Sequence, residues 1–224
     1  MRKRVSQKFF GTNEDKMVRK VNKNVILTLF IDQYCKACKH FLEGLGDQGM
    51  DVLLYLITKY FEIFKKPLDG RKKLQKLLFL VEHFDPDREL VTKSSGYTGY
   101  TFRIWMYGPF SKKIYQDLRK LKGKDLIQEE KKTWKDDPWL SVYIDDGSPR
   151  EMFYYTPKIS SRDVRIPLSV MEKINKILEK YGNKSPMELE QFVNQKLDLT
   201  PIKKLEYWGK TIDEYLGAVG FPLG

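Results

Sequence analysis

Along the middle of the chain, segments with the apolar spacing of a helix and segments with the alternating pattern of a strand follow one another in a definite order. Apolar residues recur every three or four positions in the helical segments and alternate with polar ones in the extended segments. The predicted order is helix, helix, strand, helix, strand and strand, over residues 50–64, 70–84, 100–107, 112–122, 126–131 and 152–156. A polar segment separates the last two strands, which therefore form a hairpin with a long tip. This order predicts a fold of the α+β class.

The same order is typical of a winged helix, in which a helical core carries an outward-facing helix and a β-hairpin wing. We predict a winged-helix-like domain over residues 50–160, with the helix Lys112–Lys122 facing outward. A basic N-terminal arm and helix, residues 1–49, precede this domain. A C-terminal helical segment, residues 161–224, is predicted to pack on it, with helices at Leu168–Tyr181, Ser185–Lys196 and Lys210–Leu216.

The composition argues against several classes of protein. The longest uncharged apolar runs, Val25–Ile31 and Val52–Ile57, are far shorter than the roughly 20 residues that span a bilayer. Two cysteines in 224 residues do not make a disulfide framework. Because 41% of the residues are hydrophobic and 13% aromatic, the chain has enough apolar material for a core. We therefore expect a cytoplasmic protein that has no membrane partner.

Positive charge is concentrated in the first 135 residues. Residues 1–49 carry a net charge of +5 and residues 50–135 one of +8, whereas residues 136–224 carry −2. A localised basic excess is what binding to a polyanion requires, because each neutralised phosphate releases condensed counterions. A lysine-rich surface that serves only solubility has the same composition. The charge distribution alone does not distinguish these two interpretations.

Residues suited to contact double-stranded DNA form three groups. Lysine and arginine suit phosphates, while glutamine and arginine also make paired hydrogen bonds to base edges. The candidate contacts are Lys112, Lys113, Gln116, Arg119 and Lys120 on the outward-facing helix, Lys131 and Lys132 on the wing, and Arg71 and Lys72 on the preceding helix. Lys73 and Lys76 also belong to this third group.

Motifs for catalysis or metal binding are few. The chain has no glycine-rich phosphate loop and no Gly-x-Ser-x-Gly motif. We predict a protein that is not an enzyme and has no cofactor, although a nuclease site built from scattered acids and lysines would leave no contiguous motif. The zinc ligands available are Cys35, Cys38, His40 and His83, and all four would have to converge. Since the two cysteines share one face of a predicted helix, burial in the core is the simpler interpretation, and we predict no metal site.

Three blocks of sequence follow one another: GRKKLQKLLFL at Gly70–Leu80, FRIWMYGPFS at Phe102–Ser111 and YGNKSPMEL at Tyr181–Leu189. Together they resemble the phage-associated proteins of the Panacea antitoxin type (SocA-like), over about residues 50–197. In that family a helix similar to K-L-Q-K-L is followed by an aromatic strand that ends in Y-G-P. The resemblance implies a winged-helix-like α+β fold and a non-catalytic role: neutralisation of a toxin by direct contact, an adaptor function, or DNA binding.

Two functions follow from these patterns. The first is regulatory binding of double-stranded DNA through the basic helix and wing. The alternative is an antitoxin or adaptor that binds a partner protein. DNA binding requires basic groups that face one way, whereas protein capture requires an exposed apolar surface. In both cases we expect Tyr107-Gly108-Pro109 to serve as a scaffold, with the glycine allowing a sharp turn, the proline directing the next helix, and Tyr107 packed beneath the turn.

Overall fold

The computed structural model describes residues 48–134 and 150–221, in which helices alternate with short antiparallel strands. The predicted α+β class is confirmed. The helices are α1 (residues 48–64), α2 (Arg71–His83), α3 (Lys112–Gly123), α4 (Leu168–Tyr181), α5 (Pro186–Lys196), α6 (Pro201–Glu206) and α7 (Ile212–Ala218). The strands are β1 (Leu68–Asp69), β2 (Phe84–Asp85), β3 (Leu90–Val91), β4 (Arg103–Trp105), β5 (Gly108–Phe110), β6 (Ile127–Trp134) and β7 (Arg150–Pro157).

Some of the predicted features lie outside the described residues. These are the N-terminal arm with its helix, and Cys35, Cys38 and His40. The fourth candidate zinc ligand, His83, is buried at the end of α2, where its ring stacks on Phe79 with the ring centroids 5.2 Å apart. No helix within the described ranges is long and apolar enough to cross a membrane.

The hairpin β6–β7 joins β1 in a three-stranded antiparallel sheet of order β1-β7-β6. Ile127 lies opposite Pro157 at the base of the hairpin, and Leu68 of β1 lies opposite Tyr155. A strand between α1 and α2 thus pairs with the hairpin that follows α3. Two further two-stranded ribbons, β2–β3 and β4–β5, lie between α2 and α3 in the chain.

Helix α2 is buried along almost its whole length, from Lys73 to His83. It packs against α4, α5 and β5. Because every face of this helix is covered, its polar side chains are buried together with its leucines, and a buried polar group is costly unless it is hydrogen-bonded. The polar residues of α2 therefore determine which loops can surround it.

The Glu82 carboxylate holds the loop that follows β3. It accepts hydrogen bonds from the Ser94 hydroxyl at 2.5 Å, from the Gly96 amide at 2.6 Å, and from the amide and hydroxyl of Thr98 at 2.7 and 2.6 Å. Burial alone would raise the pKa of Glu82, but these donors together hold it below its ordinary value. The conformation of this loop thus depends on the buried carboxylate of Glu82.

Several local predictions are confirmed and others are wrong. Helix α4 has the predicted bounds. Helix α5 begins one residue later than predicted, at Pro186, because Ser185 is its N-cap and forms the capping box with Glu188. Helix α2 has Gly70 at its N-cap and no capping side chain, and the neighbouring Asp69 accepts a hydrogen bond from Lys73 at 2.9 Å. The strand predicted over residues 100–107 is only Arg103–Trp105, because the chain turns there to form β5. Helix α6 was not predicted.

We expect Glu82→Gln to lower the free energy of unfolding by about 2–3 kcal/mol at neutral pH, because an amide cannot accept at both positions. Since the folded-state pKa is lowered, the carboxylate's contribution is fully present above pH 4.5, the ordinary value, and is lost as the pH falls through the folded value. The difference in the free energy of unfolding between wild type and Glu82→Gln should therefore become smaller at acidic pH. Urea unfolding at several pH values measures this effect. Glu179→Gln, on the exposed side of α4, is the control, and equal losses in the two variants would contradict the prediction.

Candidate functional site

Two polar side chains of α2 hold the turn that leads into α3. The Gln75 side-chain amide donates to the carbonyl of Ser111 at 2.9 Å and accepts from its N–H at 3.0 Å, as the backbone of a neighbouring strand would. Lys76 Nζ donates to the carbonyl oxygens of Tyr107 and Pro109, the latter at 3.0 Å. The Leu-Gln-Lys-Leu segment therefore fixes the Tyr-Gly-Pro turn from inside the protein.

Lys76 is 2% exposed, and both acceptors of its ammonium group are neutral carbonyl oxygens. Burial lowers the pKa of Lys76 to about 7; the charge of Glu190 opposes this shift, and the charges of Lys204 and Lys72 add to it. The two carbonyl groups replace the hydration that the ammonium loses. The turn cannot move away without leaving a buried donor unpaired.

At Gly108 the turn lies close against α5. The φ of Gly108 is +82°, and a Cβ added there would lie 2.1 Å from Asn194 Oδ1. The predicted need for glycine in a sharp turn is confirmed. The predicted position of Tyr107 is wrong: it does not pack beneath the turn but is 54% exposed, and Lys72 Nζ lies 4.2 Å from the centre of its ring.

Trp105, the last residue of β4, forms an exposed pair with Trp208, which lies after α6. The rings of Trp105 and Trp208 lie 4.5 Å apart, and both side chains are exposed by more than two fifths. They meet because residues 209–212 run along β4: the Ile104 N–H donates to the Lys210 carbonyl and the Gly209 N–H donates to the Ile104 carbonyl, both at 2.9 Å. Two residues 103 positions apart in the chain thus form one surface.

Helix α6 extends this surface. None of its residues is buried, and Ile202 and Leu205 are 76% and 75% exposed. The chain passes from Leu205 into the turn that carries Trp208, whose N–H donates to the Leu205 carbonyl. Exposed apolar groups that lie side by side mark interaction sites more often than scattered ones do. We call the following set the apolar strip: Trp105, Met106, Tyr107, Ile202, Leu205 and Trp208.

The basic residues predicted on α3 do share its exposed face. Ile114, Leu118 and Leu121 face the core. Lys120 forms an ion pair with Asp117 at 3.2 Å, and Lys113 Nζ lies 5.5 Å from the centre of the Tyr100 ring. The predicted residues that the structure exposes together on this helix are Lys112, Lys113, Gln116, Arg119 and Lys120.

The other predicted DNA contacts have carboxylate partners within the protein. Arg71 pairs with Glu129 at 3.0 Å, and its guanidinium lies 3.5 Å from the centre of the Phe153 ring. Lys72 pairs with Glu190 at 2.7 Å. On the β6–β7 hairpin, the ion pairs are Lys131 with Glu151 and Lys132 with Glu130.

The prediction that Lys73 and Lys76 extend this basic surface is wrong, because both are buried. Lys73 bonds to Asp69 at 2.9 Å and to the Tyr60 hydroxyl at 3.1 Å. Lys73 and Lys76 therefore form hydrogen bonds inside the protein and do not face solvent. Among the predicted DNA contacts, those that lack a carboxylate partner within the described residues all lie on α3.

The model of the family described as "Antitoxin SocA-like, Panacea domain" matches residues 74–197. The chain belongs to this family. The Panacea match begins in α2 and ends with α5, so it contains Gln75, Lys76, the Tyr-Gly-Pro turn and α3. Helix α6 and Trp208 lie beyond it. No curated protein and no solved structure matches the chain.

Sequence reasoning missed most of the apolar strip in this Panacea protein. The signal for its first half was Trp105-Met106-Tyr107, three large apolar residues in a row where an alternating strand would expose only every second one. The signal for its second half was Thr200-Pro201, a cap followed by proline at the first helical position. That signal was weak because the helix it opens has only 6 residues.

We expect Gly108→Val to lower the free energy of unfolding by about 2–4 kcal/mol, because it combines a disfavoured φ with a clash against Asn194 of α5. Gly99→Val separates these two causes, since Gly99 has a φ of +63° but open space around it. Gly99→Val should therefore lower the free energy of unfolding by less than Gly108→Val does. Thermal melts of both variants make the comparison. A wild-type melting temperature for Gly108→Val would contradict the scaffold role.

Proposed function

We propose that this Panacea protein is a non-catalytic, cytoplasmic antitoxin or adaptor that binds a partner protein directly through the apolar strip. The family match supports this role. The observation that carries it is the exposed Trp105–Trp208 pair with its apolar neighbours. Tryptophan and tyrosine are enriched among the residues that contribute most to protein–protein binding.

The way in which the turn is held also favours binding. Trp105 and Tyr107 lie at the start of a segment that Lys76 and Gln75 fix through its backbone groups. The Arg103 guanidinium also donates to the Gly209 carbonyl at 2.9 Å. A surface already ordered before it meets its partner loses less conformational entropy on binding. The aromatic pair is therefore suited to bind without rearrangement.

We also propose that α1, β1, α2, α3 and the β6–β7 hairpin form a winged-helix-like unit. The support is the strand order β1-β7-β6, together with the position of α3 immediately before the hairpin. In this unit α3 is the outward-facing helix and the hairpin is the wing.

A second function, regulatory binding of double-stranded DNA, is favoured by one observation. The basic residues of α3 face solvent together, and Lys112, Gln116 and Arg119 have no side-chain partner in the part of the chain that the structure describes. The family match favours the protein-binding role over this one. The two functions use different surfaces and are tested separately.

Capture followed by neutralisation tests the first function. We expect wild type to retain from a cell lysate a protein that Trp105→Ala/Trp208→Ala does not retain, because removing two central aromatics costs about 2–4 kcal/mol of binding. That protein, expressed alone, should arrest growth, and co-expression of wild type but not of the double variant should restore growth. Leu168→Ala, at an exposed leucine on α4, is the control.

Two results would contradict this proposal. Equal rescue by the double variant would exclude the strip as the binding surface. Capture of only proteins that leave growth unchanged would exclude the antitoxin role.

A mobility-shift assay with random duplex DNA at about 50 and about 200 mM salt tests the second function. If α3 binds DNA, affinity should fall steeply with salt, and Lys113→Glu/Arg119→Glu should abolish binding while leaving the melting temperature nearly unchanged. Lys158→Glu, at the end of β7, is the control. Affinity that does not respond to the double variant would remove α3 from any DNA-binding role.

A further inference from the structure

A cleft of about 360 Å³ lies between α4 and the residues around β2 and β3, and none of the residues that line it belongs to the apolar strip. Two lysines of α4, Lys173 and Lys176, lie about one helical turn apart and line this same cleft. The opposite wall includes Asp85, Thr92 and Tyr97. The cleft therefore contains two amines whose surroundings can be compared directly.

Lys176 is held in its charged form. It is exposed, and its Nζ pairs with Asp87 at 2.6 Å. The hydrogen bond to this carboxylate, together with the negative charge, raises the pKa of Lys176. A protonated amine has no lone pair with which to attack a carbonyl group, so Lys176 is a poor nucleophile at neutral pH.

Lys173 has different surroundings. It is half-buried, and its Nζ lies 5.0 Å from the centre of the Tyr97 ring. In the part of the chain that the structure describes, this Nζ has no hydrogen-bond acceptor and no carboxylate within ion-pair distance. Burial lowers the pKa of Lys173, and a lysine shifted in this way is a nucleophile.

The charged groups that face Lys173 come from α2 and β2. The charges of Glu82 and Asp85 favour the protonated form of Lys173, but burial outweighs them, and its pKa stays below the ordinary value. The His83 imidazole also lies near: burial chiefly lowers its pKa, and the charge of Lys173 adds to that shift. At a given pH a larger fraction of Lys173 than of Lys176 is therefore the neutral amine.

We propose that Lys173 is a site of N-acylation, at which a small acyl thioester transfers a short neutral acyl group to Nζ. The neutral nitrogen attacks the thioester carbonyl, the C–N bond forms as the C–S bond breaks, and the thiol leaves with the proton that the nitrogen loses. Ser169, four residues before Lys173 and thus on the same face of α4, brings a hydroxyl that can donate to the carbonyl oxygen. The carboxylates of Asp87 and Glu172 in the cleft disfavour an anionic acyl group.

Acylation converts the ammonium of Lys173 into a neutral amide. The positive charge near Glu82 is then lost, and Glu82 is the carboxylate that holds the loop of residues 94–98. Tyr97, whose ring Lys173 faces, belongs to that loop. The modification therefore changes the electrostatic environment of this loop.

Acetylation of the full chain by a neutral probe, the acetyl thioester of N-acetylcysteamine, tests the proposal. The extent of acetylation at each lysine is measured at low conversion by mass spectrometry of peptides. At neutral pH Lys173 should be acetylated about tenfold faster than Lys176, because each unit by which a pKa is lower gives about tenfold more neutral amine. The rate at Lys173 should also stop rising at a lower pH than the rate at Lys176.

Asp87→Asn is the matched variant, since it removes the carboxylate partner of Lys176 and leaves Lys173 unaltered. It should raise the rate at Lys176 and leave the rate at Lys173 unchanged. Lys173→Arg should remove the fast-reacting site and no other. A rate at Lys173 no higher than that at Lys176, identical pH profiles for the two lysines, or an equal response of both to Asp87→Asn would overturn the proposal.

Discussion

The hydrogen bonds from Lys76 to the carbonyl oxygens of Tyr107 and Pro109 fix the position of the surface around them. A buried charge is tolerated only where polar groups replace its lost hydration, and here those groups belong to the backbone of a single turn. Gln75 holds the next residues in the same way, and Gly108 fits against Asn194 with no room for a side chain. The start of α3 and the exposed aromatics Trp105 and Tyr107, which precede the turn, are therefore positioned by α2.

Helix α2 organises other parts of the fold by the same physical means. Lys73 links it to Asp69 of β1 and to Tyr60 of α1, while Glu82 holds the loop of residues 94–98. Hydrophobic contact alone does not specify which loop lies where, because it is not directional. Buried hydrogen bonds are directional, and an unpaired donor or acceptor at these positions would disfavour any other arrangement.

Features governed by local rules could be predicted from the sequence, and features governed by distant contacts could not. The bounds of α4 and α5 follow from apolar spacing and from the Ser185–Glu188 capping box. Lys73 and Lys76 are typical of exposed helix positions, and only the presence of their partners, as many as 33 residues away, explains their burial. The Trp105–Trp208 pair depends on residues 209–212 lying along β4, a pairing that no periodicity indicates.

The apolar strip has two parts of different origin. Trp105, Met106 and Tyr107 lie within the residues that the family model matches, whereas Ile202, Leu205 and Trp208 lie after its last residue. Ile202 and Leu205 are about three-quarters exposed, so truncating them removes little buried surface. The residues that hold the turn, in contrast, are buried and constrained. In the proposed function, stability and recognition therefore depend largely on different side chains, and a partner that contacts both parts of the strip is selected in part by residues outside the matched Panacea domain.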